Sequence, residues 1–571
     1  MSLVRSLPGA RALASYRSSW LRRDIVAELV LTTLLVPQGM AYAELAGLPA
    51  ITGLYTSVLC LLGYAVFGPS RILVLGPDSS LGPMIAATIL PLVAAGGDPE
   101  QAVALASMLA LIVGAIMITA GAGKLGFVAD LLSKPTQIGY MNGLALTILV
   151  GQLPKLFGFS VDADGLIDEA RGFVDGLASG DAVAAAAAIG LVSLGLILVL
   201  TRRLPRIPGV LAAVVVAMAA AAAFDLADHG VSLVGTLPQG FPPLTIPSVS
   251  TSDLPLLLAG AAGIALVALA DTISTSSAFA ARTGQEVNGS GEMIGIGAAN
   301  VAAGFFQGFP VSTSGSRTAV AEQAGAKTQV TGIVGAATIV LMLVLVPGLL
   351  SNLPQPTLAA VVIAASLSLA DIPGVVRLWR QRRTEFTLSI AAFLGVALVG
   401  VLAGILVAVG LSILNVFRRL WWPHQTTLGR VPGVRGFHDR ERYPNAEQLP
   451  GLVIFRFDAP LIFANSRTFR DQIRRLAAAD PRPRWIVIAA EPITDVDTTA
   501  ADMLLDLDEE LNAVGTFLVF AELKDPVRAK LERYELIGPL DPDHFFPTIK
   551  AAVDAHRQEA DVDWIPPSDT S

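Results

Sequence analysis

The stretch Phe309-Pro310-Val311-Ser312-Thr313-Ser314-Gly315-Ser316-Arg317-Thr318 is a polar run with one arginine in a region that is otherwise almost continuously apolar. Glycine-rich apolar sequence precedes it, and another apolar segment follows it. Pro310 and Gly315 disfavour an unbroken helix, and the hydroxyls after Pro310 are good N-cap groups for a helix that restarts near Arg317. Non-helical backbone at membrane depth is tolerated only where it is buried in protein or lines a wet cavity. The stretch therefore predicts a broken membrane helix.

The N-terminus of such a half-helix carries free N–H groups and partial positive charge. With Arg317 beside it, the site is suited to a small anion. The alternative interpretation is a re-entrant loop whose arginine snorkels to the membrane surface.

The composition is that of a polytopic membrane protein with a soluble remainder, because 53% of the 571 residues are hydrophobic and only 15% are charged. No basic, aromatic-interleaved patch points to nucleic acid as a partner. The single cysteine, Cys60, excludes an intramolecular disulfide and a thiolate metal cluster. The five histidines lack metal-ligand spacing.

Apolar segments of roughly 20 residues predict about fourteen spans. They lie near 24–44, 50–67, 78–97, 101–122, 134–153, 181–201, 208–227, 255–275, 290–308, 314–326, 328–350, 355–370, 384–399 and 400–416. The arginine-rich N-terminal segment 1–23 is predicted to be cytoplasmic by the positive-inside rule.

A second interrupted segment, Gly76-Pro77-Asp78-Ser79-Ser80-Leu81-Gly82-Pro83, opens the third span, as the Ser314 run opens the tenth. Two broken helices seven spans apart are what a seven-plus-seven inverted repeat produces, with the two N-termini facing each other near the midplane. A carboxylate at an anion site would repel the substrate. We therefore expect Asp78 to be the N-cap of the third span's half-helix.

The first span places Gln38 and Tyr42 four residues apart, on one helical face, where both can contact a hydrated anion. In the alternative, Gln38 bonds only to neighbouring backbone. Glu44 lies near the end of this span, where it is either a rim carboxylate bonded to water or a proton-coupling group.

The eighth span places Asp271 and Thr275 on one face. An intramembrane carboxylate is a candidate functional group, because leaving it ionised in lipid costs several kcal/mol. Asp271 has three candidate roles: it can pair with Arg317, bind a sodium ion together with hydroxyl and backbone oxygens, or take up a proton.

Beyond Trp422 the composition becomes that of a soluble domain. Residues 423–450 are predicted to be a polar linker, 451–558 a small cytoplasmic α/β domain, and 559–571 a disordered tail. Strands are expected at 452–457, 460–463, 485–489 and 517–520, with helices between and after them. The domain is too small and too poor in polar clusters to be predicted as an enzyme.

Several motifs in order resemble the SulP family of inorganic anion transporters. The resemblance covers nearly the whole chain and is carried by Val36-Pro37-Gln38-Gly39-Met40-Ala41-Tyr42-Ala43, Ala46-Gly47-Leu48-Pro49, Gly68-Pro69-Ser70-Arg71, Gly76-Pro77 and Ala324-Gly325-Ala326-Lys327-Thr328. The terminal domain resembles a STAS domain, with Asp495-Val496-Asp497-Thr498-Thr499-Ala500 at a strand-to-helix turn. Asp497 and Thr498 are then either regulatory or an ordinary helix cap.

The resemblance implies a transport domain over 24–422 with fourteen spans in a core and a gate, a homodimer in the cell membrane, and a cytoplasmic STAS domain with a partner of its own. It also implies an anion site formed by Gln38, Tyr42, Ser79, Ser80, Thr313, Ser314, Gly315, Ser316 and Arg317. Asp271 and Thr275 match the pattern of the sodium-binding eighth span in a bicarbonate-transporting member. Many relatives carry an apolar residue where Asp78 stands.

These observations predict a secondary transporter of a small inorganic oxyanion, sulfate in the leading hypothesis, that works by proton or sodium symport with elevator-like alternating access. Glu44, Asp271 and Thr275 are the candidates for cation coupling, and no cofactor is expected other than a sodium ion. The alternatives are a sodium-dependent bicarbonate symporter, an exchanger or channel for chloride-like anions, a voltage-responsive motor, and a membrane anchor for a signalling STAS module.

Overall fold

The computed structural model describes residues 8–9, 11, 15–93, 97–126, 133–161, 163, 165–204, 207–283, 288–561 and 564, without the side chains of 280–283. The chain divides into two compact units, Met1–Ile413 and Leu414–Ser571. The predicted disordered tail lies mostly outside the described residues, as does part of the N-terminal segment.

The first unit is helical. Its helices are α1 (Ser18–Leu45), α2 (Ala50–Phe67), α3 (Gly82–Ile89), α4 (Pro99–Ala122), α5 (Lys134–Leu156), α6 (Leu166–Ser179), α7 (Ala184–Arg203), α8 (Gly209–Ala223), α9 (Leu254–Thr283), α10 (Gly289–Gly304), α11 (Gly315–Ala324), α12 (Val330–Leu345), α13 (Gln355–Leu369), α14 (Ile372–Gln381), α15 (Arg383–Leu394) and α16 (Val401–Trp421), which continues into the second unit. A helix lies at each of the fourteen predicted spans, while α6 and α14 are additional. Within the described ranges, seven helical stretches are long and apolar enough to cross a bilayer, one of which, Gln355–Gln381, is made up of α13 and α14 together.

Two short strands join the two interrupted segments. Strand β1 (Leu75–Gly76) pairs antiparallel with β2 (Ser312–Thr313), so that Leu75 lies opposite Thr313. Each strand leads into a short helix, β1 into α3 and β2 into α11. Because the strands are antiparallel, the two helices leave in opposite directions and their N-termini lie close together. This arrangement was predicted for the two broken helices, whereas the inverted repeat itself stays a prediction.

Helices α1 and α2 pack with their backbones in contact. A Cβ atom on Gly53 would lie 1.9 Å from the carbonyl oxygen of Gly39, so only glycine fits at this crossing. The contact fixes α1 at the level of Gln38 and Tyr42, which lie one residue before and three residues after Gly39.

The second unit contains one six-stranded sheet in the order β4-β3-β5-β6-β7-β8. Its strands are β3 (Gln425–Arg430), β4 (Phe437–Asp439), β5 (Leu452–Phe457), β6 (Trp485–Ala489), β7 (Phe517–Ala521) and β8 (Phe545–Phe546). The helices are α17 (Ser466–Ala477), α18 (Thr498–Asn512), α19 (Asp525–Arg533) and α20 (Ile549–Glu559). Strands β5 to β8 are parallel, and the sheet has one hydrophobic cluster on each face.

Two expectations for this unit are wrong. The region 423–450, predicted to be a linker, contains β3 and β4, and β3 extends the sheet by pairing antiparallel with β5. Its strand pattern was hidden because four of the six residues of β3 are polar, namely Gln425, Thr426, Thr427 and Arg430. The strand expected at 460–463 is reduced to one bridge, between Leu461 and Val496.

Candidate functional site

A cavity of about 540 Å³ lies where the two broken helices meet. Residues from α1, α5, α7, α8, α9, α13 and the two helix N-termini line it. The polar lining consists of Gln38, Tyr42, Asp78, Ser79, Gln137, Thr201, Asp271, Ser274, Thr275, Thr313, Ser314, Ser316 and Ser368, together with the backbone of Gly315. Gln38 and Tyr42 of the first span, Asp271 and Thr275 of the eighth, and residues 313–316 of the tenth are thus brought together at one place.

The N-terminus of α11 supplies hydroxyls and backbone N–H groups to this cavity. Ser314 is the N-cap, and its Oγ accepts from the backbone N–H of Arg317 at 3.4 Å. The Ser314 and Ser316 hydroxyls lie 3.1 Å apart, and the Thr313 hydroxyl donates to Thr272 Oγ1. The helix begins two residues before the predicted restart. It offers donors and partial positive charge, as an anion requires.

Arg317 differs from expectation, because its side chain does not line the cavity. The residue is 1% exposed. Its Nη2 donates to the carbonyl oxygen of Pro77 at 2.7 Å and lies 3.8 Å from Asp78 Oδ2. A Cβ on Gly76 would meet Nη1 at 2.7 Å, so the guanidinium lies directly on that backbone. A charge this deeply buried needs partners, and Nη2 finds them in the turn before α3, whereas Nε and Nη1 have no hydrogen-bond partner among the described residues.

The prediction that Asp78 is the N-cap of α3 is wrong. The N-cap position is Leu81, and Asp78 Oδ1 instead accepts from the backbone N–H of Ser80. The turn between Asp78 and the helix leaves the carboxylate at the cavity wall, where Arg317 balances its charge. This pairing reduces the repulsion that the Asp78 carboxylate would otherwise exert on an anion in the cavity.

Asp271 lines the same cavity and does not pair with Arg317. Ser80 Oγ lies 3.2 Å from Asp271 Oδ2 and 2.7 Å from Asp78 Oδ1. A hydroxyl has one proton to donate. When Ser80 donates this proton to Asp78, its oxygen faces an oxygen of Asp271 with no proton between them. The contact with Asp271 is then favourable only when a proton or a cation is held at Asp271.

Two polar groups contact the Asp271 carboxylate: the Ser80 hydroxyl oxygen and the Gln137 amide nitrogen, which lies 3.5 Å from Asp271 Oδ1. Thr275, one turn along α9, lines the same cavity. Oxygen ligands of this kind suit a hard cation such as sodium. Ser80 itself is buried and does not line the cavity, whereas its neighbour Ser79 does.

Glu44 lies at a different place from the other candidates. It lines a separate cavity of about 750 Å³, together with Lys155 of α5. Glu44 therefore does not face the cavity at the half-helix site, and its role in proton coupling stays a prediction.

Gln137 and Ser274 line the cavity but were not singled out from the sequence. Gln137 could have been found from the sequence, because it is an amide side chain near the start of a mostly apolar span. Ser274 follows Asp271 by three residues, a spacing that places both on one side of α9.

In the second unit, Asp497 is a helix cap with two partners. Its Oδ1 accepts from the backbone N–H of Ala500 at 2.8 Å, and its Oδ2 accepts from that of Phe463 at 2.7 Å. The carboxylate therefore ties the start of α18 to the turn after β5. The neighbouring Thr498 is exposed. A regulatory role for either residue stays a prediction.

We expect Asp497→Ala to destabilise α18 by about 1–2 kcal/mol, the usual cost of losing an N-cap. Hydrogen exchange measured on the full chain should then show faster exchange of amides in 498–512. Thr498→Ala is the matched control and should leave exchange nearly unchanged. Equal protection in the two variants would contradict the assignment of the cap to Asp497.

Comparison with known proteins identifies both units. The family model described as "Sulfate permease family" matches residues 21–392, and the STAS domain model matches 443–552. A probable sulfate transporter of Mycobacterium tuberculosis (strain CDC 1551 / Oshkosh) is 41% identical over 552 residues, covering 96% of this chain and 98% of the relative. Probable sulfate transporter 4.2 of Arabidopsis thaliana is 30% identical over 564 residues, covering 95% and 82%.

Solved structures share the fold. Murine Solute Carrier 26 family member A9, an anion transporter, aligns with a TM-score of 0.87 at 24% identity, covering 97% of this chain and 94% of that one. The transmembrane domain of a cyanobacterium bicarbonate transporter aligns with a TM-score of 0.61 at 22% identity, covering 69% and 99%. The chain is a multi-pass membrane protein that belongs to the sulfate permease family and carries a C-terminal STAS domain.

Proposed function

We propose that this protein is a secondary active transporter of sulfate that works by cation symport. The observation that carries the proposal is the cavity at the paired half-helix N-termini, because it combines anion-binding donors with an intramembrane carboxylate. Backbone N–H groups and the hydroxyls of Ser314 and Ser316 are suited to oxyanion oxygens. The curated relatives named as sulfate transporters support sulfate as the substrate.

The charges around the cavity support symport. Two carboxylates, Asp78 and Asp271, line the wall, and Arg317 balances Asp78. A divalent anion entering beside an ionised Asp271 would be repelled. A proton or a sodium ion at Asp271 removes that repulsion, so binding of anion and cation at this site favour each other. The oxygen of Ser80 already lies within hydrogen-bond distance of Asp271.

Symport also satisfies the energetics of uptake. An inward-negative potential opposes anion entry by about 2.3 kcal/mol per charge per 100 mV, hence by about 4.6 kcal/mol for sulfate. Each co-transported monovalent cation offsets about 2.3 kcal/mol of this cost. We further propose an elevator-like movement of a core against a gate in a homodimer, with the N-terminus and the STAS domain in the cytoplasm and a partner for that domain there.

The test is radiolabelled uptake into proteoliposomes that contain the purified full-length protein, with proton and sodium gradients imposed separately. We expect saturable sulfate accumulation driven by a proton gradient, with bicarbonate a poor competitor. Vesicles without protein and a collapsed gradient are the controls.

Other outcomes would replace the proposal. Sodium-driven bicarbonate uptake would make the protein a sodium-dependent bicarbonate symporter, with Asp271 and Thr275 at the cation site. Anion flux that only equilibrates, without accumulation under either gradient, would make it an exchanger or a channel for chloride-like anions.

A further inference from the structure

Helix α14 has an apolar stripe and a basic edge that the transport mechanism does not use. The stripe consists of Ile372, Val376 and Trp379, which are 59%, 43% and 46% exposed. Successive members are four and three residues apart, so they share one face of the helix. The opposite side carries the buried residues Gly374 and Leu378 and packs on the protein.

The position of α14 is at the edge of the membrane region. It begins directly after α13 and ends directly before α15, and both neighbours are predicted spans. The side chain of Asp371 accepts from the backbone N–H of Gly374 at 2.8 Å and so fixes the turn between α13 and α14. A ten-residue helix is about 15 Å long, too short to cross a bilayer but suited to lie along its surface.

Trp379 is held at this edge by residues of α15. Its ring packs edge-on against Phe386 with centroids 4.8 Å apart, and the Arg383 guanidinium lies 3.9 Å above its centroid. Tryptophan with an exposed ring and a neighbouring arginine is typical of the boundary between acyl chains and headgroups.

Two arginines, Arg377 and Arg380, border the stripe. The side chains of Arg377 and Arg380 are exposed and make no hydrogen bond or ion pair within the part of the chain that the structure describes. Helix α14 carries no acidic residue. The two arginines and two members of the stripe, Ile372 and Val376, line a groove of about 620 Å³ together with Pro373 and Gln381, and Trp379 follows on the same helix face beside it.

We propose that this groove binds an anionic phospholipid, with the headgroup phosphate between Arg377 and Arg380 and the acyl chains along Ile372, Val376 and Trp379. The guanidinium fork matches phosphate oxygens in pairs, and the adjacent stripe is where acyl chains would lie. A second copy of this chain would have to bring carboxylates to the groove, which α14 itself lacks. Charge complementarity therefore favours a lipid over a copy of the chain.

The experiment uses quenching of Trp379 fluorescence by lipids with brominated acyl chains. The full-length protein is reconstituted in phosphatidylcholine vesicles that contain either brominated phosphatidylglycerol or brominated phosphatidylcholine at the same mole fraction. The difference from Trp379→Phe isolates the signal of this tryptophan. We expect stronger quenching by phosphatidylglycerol. In Arg377→Gln/Arg380→Gln, the association constant of phosphatidylglycerol relative to phosphatidylcholine should fall at least about fivefold. Each arginine near anionic lipid contributes a factor of about five.

Two further variants and one lipid control make the test decisive. Arg377→Lys/Arg380→Lys keeps the charges and should keep the preference for phosphatidylglycerol. Arg202→Gln/Arg203→Gln removes two exposed charges at the end of α7 and should not change it. Quenching by brominated phosphatidylcholine reports whether α14 is still in place. Equal quenching by the two lipids in the unmodified protein, or a preference that survives the glutamine pair, would overturn the proposal.

Discussion

Replacing Arg317 by alanine is expected to abolish sulfate binding and transport. The guanidinium donates to Pro77 and balances Asp78 from a position that is almost fully buried. Removing one partner of a buried ion pair lowers the free energy of unfolding by about 3 kcal/mol or more, because the other charge is left uncompensated. In the variant Asp78 becomes an unbalanced negative charge at the cavity wall. We therefore expect the affinity for sulfate, measured by equilibrium binding to purified protein, to fall at least about a hundredfold.

A double variant separates two roles that Arg317 can have. If the arginine acts by balancing Asp78, then Arg317→Ala/Asp78→Asn should recover part of the affinity, because the uncompensated carboxylate is gone. Should the guanidinium contact the anion directly, the double variant would stay as inactive as Arg317→Ala. The contacts of Arg317 lead us to expect recovery. Unfolding midpoints of all three variants serve to separate lost binding from lost fold, and unchanged affinity in Arg317→Ala would contradict the assignment.

The helices could be predicted from the sequence because membrane spans are long apolar runs with arginine-rich ends. The two interruptions were recognisable as well, since Pro310 and Gly315, like Pro77 and Gly82, break a helix whatever the tertiary structure. That β1 and β2 pair with each other could not be predicted. The pairing depends on contacts between segments more than 230 residues apart, and two-residue strands carry no periodic pattern.

The directions of the side chains at the site were harder to predict from the sequence than the helices. Residue spacing along one helix correctly grouped Gln38 with Tyr42 and Asp271 with Thr275 at one cavity. Spacing did not show that Arg317 turns towards Pro77, or that Glu44 faces another cavity, because both depend on neighbouring helices. The expectation for Asp78 failed for the same reason. Local capping rules describe its own helix, whereas its partner comes from α11.

The second large effect is expected at Asp271. Asparagine has nearly the same shape as aspartate and still offers an oxygen to Ser80 Oγ, yet it cannot take up a proton or supply a full negative charge to sodium. In Asp271→Asn we expect a loss of gradient-driven sulfate accumulation by at least about tenfold. Exchange of labelled for unlabelled sulfate across the same vesicles should persist, because the donors at the N-terminus of α11 are unchanged.

Glu44→Gln is the matched comparison, since Glu44 is also a carboxylate of the membrane unit but lines the other cavity. If coupling requires a negative group next to the anion, Glu44→Gln should retain accumulation while Asp271→Asn loses it. The response of Asp271→Asn to each gradient also identifies the ion. Loss of proton-driven uptake means that a proton binds at Asp271, and loss of sodium-driven uptake, shared by Thr275→Ala, means that sodium does. Accumulation that survives in Asp271→Asn under both gradients would place coupling elsewhere, because no charge change at this site would then accompany transport.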